Sequence, residues 1–199
     1  ADQNVKQGHL HAAASALLRA TNYYRSSEYY SDPYSDKAAQ FGVASRYAFI
    51  RAAGMLPHHI VAVDIPFEGN DLPGYFMQPV SGAPDGRTII IITGFDGTGE
   101  ELYFQSAADA LSRGYNVLVA EGPGQVGCLR RYPNLLFRPD YEKPLAAVID
   151  YAVRQKEVAP ERLALYGISY GGYFASRAAA HDARIRALVV NSPIVGLGA

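Results

Sequence analysis

A serine with a glycine two residues away on either side follows an apolar run in YGISYGG, residues 166–172. The pattern G-x-S-x-G places Ser169 between Gly167 and Gly171. Such a serine lies on a sharp turn from a strand into a helix, where a neighbour with a Cβ would collide with the adjoining backbone. Ser169 is therefore a candidate nucleophile for acyl transfer. The structural alternative is a tight turn with a helix-capping serine.

A serine nucleophile needs hydrogen-bond donors for the oxyanion that forms when it attacks a carbonyl. One predicted donor is the N–H of Tyr170, the residue after the nucleophile. The other would come from the loop TGFDGTGEE, residues 93–101, which follows an earlier apolar run. In this loop Gly94 would let the chain turn closely and Phe95 would supply its N–H. The alternative for the loop is a plain glycine-rich turn.

A second glycine pattern, GPGQVG at residues 122–127, matches the G-x-G-x-x-G of dinucleotide-binding loops. Pro133 and Pro139 leave no room for the long helix whose N-terminus would bind a pyrophosphate. The acids Asp140 and Glu142 lie in a Pro-rich stretch, not at the end of a second strand. We therefore predict no nicotinamide or flavin cofactor. The sequence also lacks the Cys and His spacing of a zinc site, so no metal is predicted.

The elements that would position Ser169 alternate between strands and helices in the second half of the chain. RTIIIIT, residues 87–93, is a continuous apolar run typical of a strand buried on both faces. The other predicted strands are 59–67, 72–80, 115–121, 162–168 and 185–191, and the predicted helices are 9–30, 37–53, 98–113, 141–157 and 169–182. The pattern indicates an α/β fold with a mostly parallel sheet, an antiparallel N-terminal hairpin and a preceding helical segment.

Composition excludes several classes of protein. The 199 residues are 49% apolar and 19% charged with a net charge of −1, which indicates a globular domain and gives no argument for a nucleic-acid partner. No apolar run approaches the roughly 18–20 residues of a membrane helix, so no membrane association is predicted. The lone cysteine, Cys128, excludes an internal disulfide and predicts a reducing, cytoplasmic location.

The acid and the histidine that would activate a serine nucleophile follow it in chain order. After Ser169, the only histidine is His181 and the only acidic residue is Asp182. They would lie at the far end of the same helix, about 18 Å from the serine at 1.5 Å per residue, which is far beyond hydrogen-bond reach. We therefore expect the acid and the histidine beyond residue 199. The remainder of the polypeptide, or a second chain, would supply them and complete the sheet.

Several segments together resemble the α/β-hydrolases. More narrowly, they resemble the group of 2,6-dihydroxypseudooxynicotine hydrolase, the FrsA-like proteins and the fungal polyketide-shortening hydrolases. The matching segments are NYYRSSEYY, GFDGTGEELYF, AEGPGQVG, RPDYEKPLAAVIDYA and YGISYGGYFASRAAAHDARIRALVVNSPI. The resemblance implies an α/β-hydrolase fold, Ser169 as nucleophile, and a helical cap segment (residues 1–57) before the hydrolase core (residues 58–199). The group usually has Asp where Glu121 stands and GQGE-like residues where GQVGC stands.

The resemblance also implies a small-molecule substrate. Tyr23, Tyr24 and Arg25 of the cap and Asp96 of the loop are candidates to contact it. For the tyrosines the alternative is ordinary helix packing or the interface of a homodimer. The expected reaction is hydrolysis of a C–C or ester bond next to a carbonyl in an aromatic or polyketide-like compound. The alternatives are lyase, cyclase or acyltransferase chemistry on the same fold, and a non-catalytic pseudo-hydrolase that binds a ligand.

Overall fold

The computed structural model of the chain describes residues 1–33 and 35–193. Tyr34, in the Tyr-rich stretch of the predicted cap, and residues 194–199, at the end of the predicted core, lie outside the described residues. The chain divides into two compact units, Ala1–Val61 and Ala62–Ala199. The division falls within the first strand, β1 (His59–Phe67), whereas the sequence analysis places the boundary just before it.

The first unit is built from helices, which are α1 (Asp2–Lys6), α2 (Leu10–Tyr29) and α3 (Asp36–Ala53). Ser35 caps α3, because its side chain accepts the N–H of Ala38 at 3.2 Å. The buried side chains of Leu17, Ala48 and Ala52 pack α2 against α3. The alanines leave room for the two helices to approach closely, so the helical unit has a small apolar core of its own.

The second unit contains most of a six-stranded sheet. Its strands are β1, β2 (Asn70–Gln78), β3 (Thr88–Ile92), β4 (Asn116–Ala120), β5 (Leu163–Ile168) and β6 (Ile185–Asn191), in the order β1-β2-β4-β3-β5-β6. Strands β4, β3, β5 and β6 run parallel, and β2 is antiparallel to β4. Ile92 lies opposite both Ala120 and Gly167, so the carboxyl ends of the three central strands lie side by side.

Helices cover both faces of the sheet. They are α4 (Gly99–Leu102), α5 (Ala108–Ser112), α6 (Val126–Leu129), α7 (Glu142–Val153) and α8 (Tyr170–His181). On one face, Ile90 and Ile92 of β3 share a core with Val148 of α7 and Phe174 of α8. Ile91 points to the other face, next to α5, because successive strand side chains alternate.

The predicted α/β layering and the antiparallel edge are confirmed. Most element boundaries shift by one or two residues, and larger differences occur in three places. A π-helical turn, Tyr103–Ala107, interrupts the helix predicted over 98–113. The segment predicted as a loop over 122–140 contains the short helix α6. Helix α7 ends at Val153, not at residue 157, because its apolar face ends there: Ala152 is buried whereas Arg154 is exposed.

Candidate active site

Ser169 occupies the turn between β5 and α8 with φ 57° and ψ −122°. A positive φ is unfavourable for a residue with a Cβ and costs about 1–3 kcal/mol. Two hydrogen bonds hold this backbone: the N–H of Ser169 donates to Asn191 O at 2.8 Å, and its carbonyl accepts the N–H of Gly172 at 2.9 Å. The residue is exposed to solvent at the carboxyl edge of the sheet. This is the conformation in which a serine is presented to a ligand.

The two glycines of the G-x-S-x-G pattern lie where backbone meets backbone. A Cβ on Gly167 would lie 2.2 Å from Gly171 O. A Cβ on Gly171 would lie 2.4 Å from Thr93 O and 2.6 Å from Ile92 O. No ordinary carbon–oxygen contact is that short, so only glycine fits either position without moving the backbone. The glycines thus let the start of α8 lie directly against the ends of β3 and β5.

The loop after β3 passes next to the serine side chain. A Cβ on Gly94 would lie 3.0 Å from Ser169 Cβ and 3.3 Å from Ser169 Oγ. Phe95 and Asp96 follow, and both are exposed. Tyr170 is the first residue of α8, so its N–H has no intrahelical partner. The two segments predicted to carry the oxyanion donors therefore meet at Ser169, and the donor role of their N–H groups stays a prediction.

Gln125 connects this loop to the one that follows β4. Its side chain is fully buried. Its Nε2 donates to Thr93 O at 2.6 Å and to Gly94 O at 3.1 Å, and its Oε1 accepts the N–H of Gly122 at 2.6 Å. The sequence analysis rejects residues 122–127 as a cofactor loop and includes them in the family resemblance, but it assigns no role to Gln125. The available signal was a long polar side chain in a glycine-rich turn directly after a buried strand.

Glu121 makes a second connection beneath the same loops. Its carboxyl group is buried, with Oε1 accepting the N–H of Gly99 at 2.8 Å and Oε2 accepting the N–H of Gly127 at 2.6 Å. Burial, together with the neighbouring carboxylate of Glu100, raises the pKa of Glu121 to about 7, although Arg130 and the two backbone N–H groups act in the opposite direction. Glu121 thereby joins the beginning of α4 to the beginning of α6.

Aromatic rings flank the serine turn. Phe137 stacks on Phe95 with ring centroids 5.7 Å apart, and meets Tyr170 edge-on at 5.5 Å. The Tyr170 ring is 4.6 Å from that of Phe174, which stacks on Tyr141 at 3.5 Å. The sequence analysis misses Phe137, because the irregular segment around it shows no periodicity that would predict its position.

The predicted cap residues lie on α2 in the helical unit. Tyr23 and Tyr24 are 72% and 40% exposed, and the Tyr24 ring stacks on Phe41 at 6.4 Å. Arg25 is buried and forms an ion pair with Glu28 at 3.1 Å. Their contact with a substrate stays a prediction.

The sequence analysis excludes His181 and Asp182 as partners of Ser169 and excludes GPGQVG as a cofactor loop. His181 is the last of the 12 residues of α8, and Asp182 pairs with Arg184 at 2.6 Å. The helix after GPGQVG has only four residues. In the part of the chain that the structure describes, no group of three His, Cys, Asp or Glu side chains could hold a metal ion. Nor is any helix among residues 1–33 and 35–193 long and apolar enough to cross a bilayer.

Comparison with known protein families shows which family the chain belongs to. Residues 11–199 match the family described as X-Pro dipeptidyl-peptidase (S15 family). The chain belongs to this family. The S15-family chain is 42% identical, over 94% of its length, to the hydrolase acrC of Aspergillus aculeatus. It is 36% identical, over 95% of its length, to the 20-hydroxy-prefusarin hydrolase of Gibberella moniliformis. It spans 48% and 47% of these relatives, which is about half of their length.

Comparison with solved structures shows which fold the chain has. The S15-family chain superposes on 2,6-dihydroxy-pseudo-oxynicotine hydrolase with a TM-score of 0.80 at 26% identity, over 92% of this chain and 50% of the other. It superposes on AbyA5 with a TM-score of 0.76 at 18% identity, which shows a shared fold. The predicted α/β-hydrolase fold and the resemblance to the 2,6-dihydroxypseudooxynicotine hydrolase group are confirmed.

Proposed function

We propose that the protein is a serine-dependent hydrolase in which Ser169 attacks a substrate carbonyl. The observation that carries this proposal is the backbone of Ser169, which has a positive φ and presents an exposed side chain beside Gly94. A fold does not keep a strained serine at the edge of its sheet for packing, because an exposed side chain contributes little to packing. A nucleophile that must meet a ligand gains from that position.

The oxyanion would be held by the N–H groups of Phe95 and Tyr170. The N–H of Tyr170 begins α8, so the partial positive charge of the helix N-terminus adds to that of the donor. Phe95 directly follows Gly94, where an added Cβ would lie 3.3 Å from Ser169 Oγ, so the loop passes close to the serine side chain. An acid and a histidine are also needed to take the Ser169 proton, and we propose that a part of the protein beyond residue 199 supplies them.

The proposed substrate is an aromatic or polyketide-like small molecule, cleaved at a C–C or ester bond next to a carbonyl. The rings of Phe95, Phe137 and Tyr170 form an apolar wall beside the site. Two similar proteins are named for the hydrolysis of small organic molecules, 20-hydroxy-prefusarin and 2,6-dihydroxy-pseudo-oxynicotine. In C–C cleavage the electron pair leaves on carbon and must be protonated or delocalised, whereas an ester releases an alkoxide.

The cap and the sheet edge carry further parts of the proposal. Tyr23, Tyr24 and Arg25 would contact the substrate from the cap, and Asp96 would contact it from the loop. A homodimer through the cap helices and a cytoplasmic location remain predictions.

On the edge strand β6, Leu188, Val189 and Val190 are 41%, 50% and 38% exposed. Because an apolar parallel edge favours pairing with another strand, we propose that the remainder of the polypeptide extends the sheet there.

The test is replacement of the nucleophile in the intact protein. Ser169→Ala should abolish turnover and labelling by a fluorophosphonate probe, while Ser176→Ala should leave both unchanged. Ser176 is a matched control, since it is an exposed serine of the same helix whose Oγ donates to Gly172 O at 2.8 Å. Incorporation of ¹⁸O from labelled water into the product separates hydrolysis from lyase, cyclase or acyltransferase chemistry. Full turnover by Ser169→Ala would refute the proposal.

A further inference from the structure

Gln125 makes every hydrogen bond that its buried position requires of an amide. Its Nε2 has two hydrogens and faces two carbonyls, Thr93 O and Gly94 O, while its Oε1 accepts the N–H of Gly122. No other side chain of similar size offers two donors and an acceptor in this arrangement. A glutamate would lose both donors in its ionised form, and an alanine would leave three buried backbone groups without a partner.

The bond to Gly94 O acts directly on a predicted catalytic group. Gly94 O and the N–H of Phe95 belong to the same peptide unit, which is planar and trans. In a trans unit the C=O and the N–H point in opposite directions, so fixing the carbonyl on one side aims the N–H towards the other. Because Gln125 holds that carbonyl at 3.1 Å, it determines where the N–H of Phe95 points.

Further hydrogen bonds hold Gln125 and the loops around it in place. The N–H of Gly122 fixes its Oε1 at 2.6 Å, and Glu121 fixes the backbone at Gly99 and Gly127 on either side. The loops after β4 and β3 are therefore held together before any substrate binds. Preorganised donors of this kind stabilise an oxyanion without having to reorganise during the reaction.

We propose that Gln125 is a positioning residue that orients the Phe95 N–H for the oxyanion of the Ser169 reaction. This inference rests on the proposed serine-dependent function. It predicts that Gln125 affects the transition state, and leaves substrate binding in the ground state nearly unchanged.

The experiment compares Gln125→Ala and Gln125→Glu with the unchanged intact protein. Hydrolysis of p-nitrophenyl butyrate should show kcat lowered about 10- to 100-fold with KM within about twofold, because loss of one oxyanion donor lowers kcat about 10²- to 10³-fold and a misdirected donor retains part of its effect. The rate of fluorophosphonate labelling should fall by a similar factor. Affinity for a phenyl trifluoromethyl ketone, whose serine adduct carries an oxyanion, should fall in parallel with kcat/KM.

Gln125→Glu makes the donor at this position titratable, and its pH response is compared with the trifluoromethyl ketone affinity, which a purely structural role would not lower in parallel with kcat/KM. A protonated glutamic acid keeps one donor, whereas the ionised form keeps none, so the kcat of this variant should recover at least threefold as the pH falls from 8 to 5, relative to the unchanged protein. The variant also keeps the question decidable if Gln125→Ala does not fold.

The matched control is Asn116→Ala, at the opposite end of β4. Asn116 is an equally buried amide, whose Nδ2 donates to Glu157 O at 2.7 Å and to Thr88 Oγ1 at 3.4 Å. This variant should lower the melting temperature while leaving the kcat of the folded protein within about twofold of the original.

Two results would overturn the inference. One is a folded Gln125→Ala whose kcat stays within twofold of the original. The other is a drop in kcat with unchanged trifluoromethyl ketone affinity and no recovery of Gln125→Glu at low pH. Failure of the proposed function is distinguishable, because Ser169→Ala would then keep its turnover and its labelling. That outcome would refute both proposals. If Ser169→Ala has no turnover and Gln125→Ala keeps full turnover, only the proposed role of Gln125 is refuted.

Discussion

The substitution Gly171→Ala tests how closely α8 approaches the sheet. The added Cβ would lie 2.4 Å from Thr93 O and 2.6 Å from Ile92 O, and ordinary carbon–oxygen contacts begin at about 3.3 Å. Both oxygens belong to the backbone, so no side-chain rotation relieves the collision. The start of α8 and the end of β3 must therefore separate by about 1 Å.

The magnitude follows from that separation. Overpacking a well-packed site usually destabilises by about 1–3 kcal/mol, and a collision with two backbone oxygens belongs at the upper end, at about 3 kcal/mol. For a unit of this size, this lowers the melting temperature by roughly 6–12 °C. The groups that separate carry Ser169 and the Gly94 loop. A displacement of about 1 Å between reacting groups lowers kcat by about 10²-fold.

The assay is thermal unfolding together with the kinetics of the folded protein at a temperature well below the transition. The matched control is Gly54→Ala, at the end of α3 in the helical unit. Gly54 has φ −67°, and a Cβ there would meet only Arg51 O, at 3.8 Å. This control should be neutral or stabilising by up to about 1 kcal/mol. If Gly171→Ala melted within 2 °C of the original protein with the same kcat, the inferred close contact would be wrong.

Phe174→Ala removes a ring that is 1% exposed and stacks on Tyr141, so urea unfolding should show a loss of about 3–5 kcal/mol, and a loss below 1 kcal/mol would contradict the packing. Burial raises the pKa of Cys128 to about 12, so this lone thiol should resist iodoacetamide at pH 8 until the protein unfolds, and rapid labelling of the native protein would show that it is accessible. The pKa of Glu121 is raised to about 7, so its contribution to stability is complete below about pH 4.5 and is lost as the pH rises through 7. Urea unfolding between pH 4.5 and 8 should therefore show Glu121→Gln gaining stability relative to the original protein as the pH rises, and parallel curves would contradict the raised pKa.

Much of the fold could be read from neighbouring residues along the chain. The run TIIII is β3, and the strand, serine and small-residue helix around YGISYGG form the β5–Ser169–α8 turn. These features were predictable because a strand buried on both faces needs a continuous apolar run, and a strained turn needs glycines within two residues. The ends of the helices were less predictable, as at Val153, because they depend on where the sheet stops covering the apolar face.

The candidate site depended on contacts between distant parts of the chain. Gln125 meets Thr93 across 32 residues and Glu121 meets Gly99 across 22, and neither pair has a spacing that a local pattern could reveal. Phe137 reaches Tyr170 from a segment with no periodicity at all.

The amino-acid sequence by itself determined which residues form strands, where the serine turn lies and which glycines it requires, because these depend on sterics and periodicity over a few residues. Only the tertiary structure decided which side chains surround Ser169. The order β4-β3-β5 brings the ends of three strands together, and with them loops that are far apart in the chain. Contacts of that kind depend on how the strands pair, and the pattern of any single segment does not contain that information.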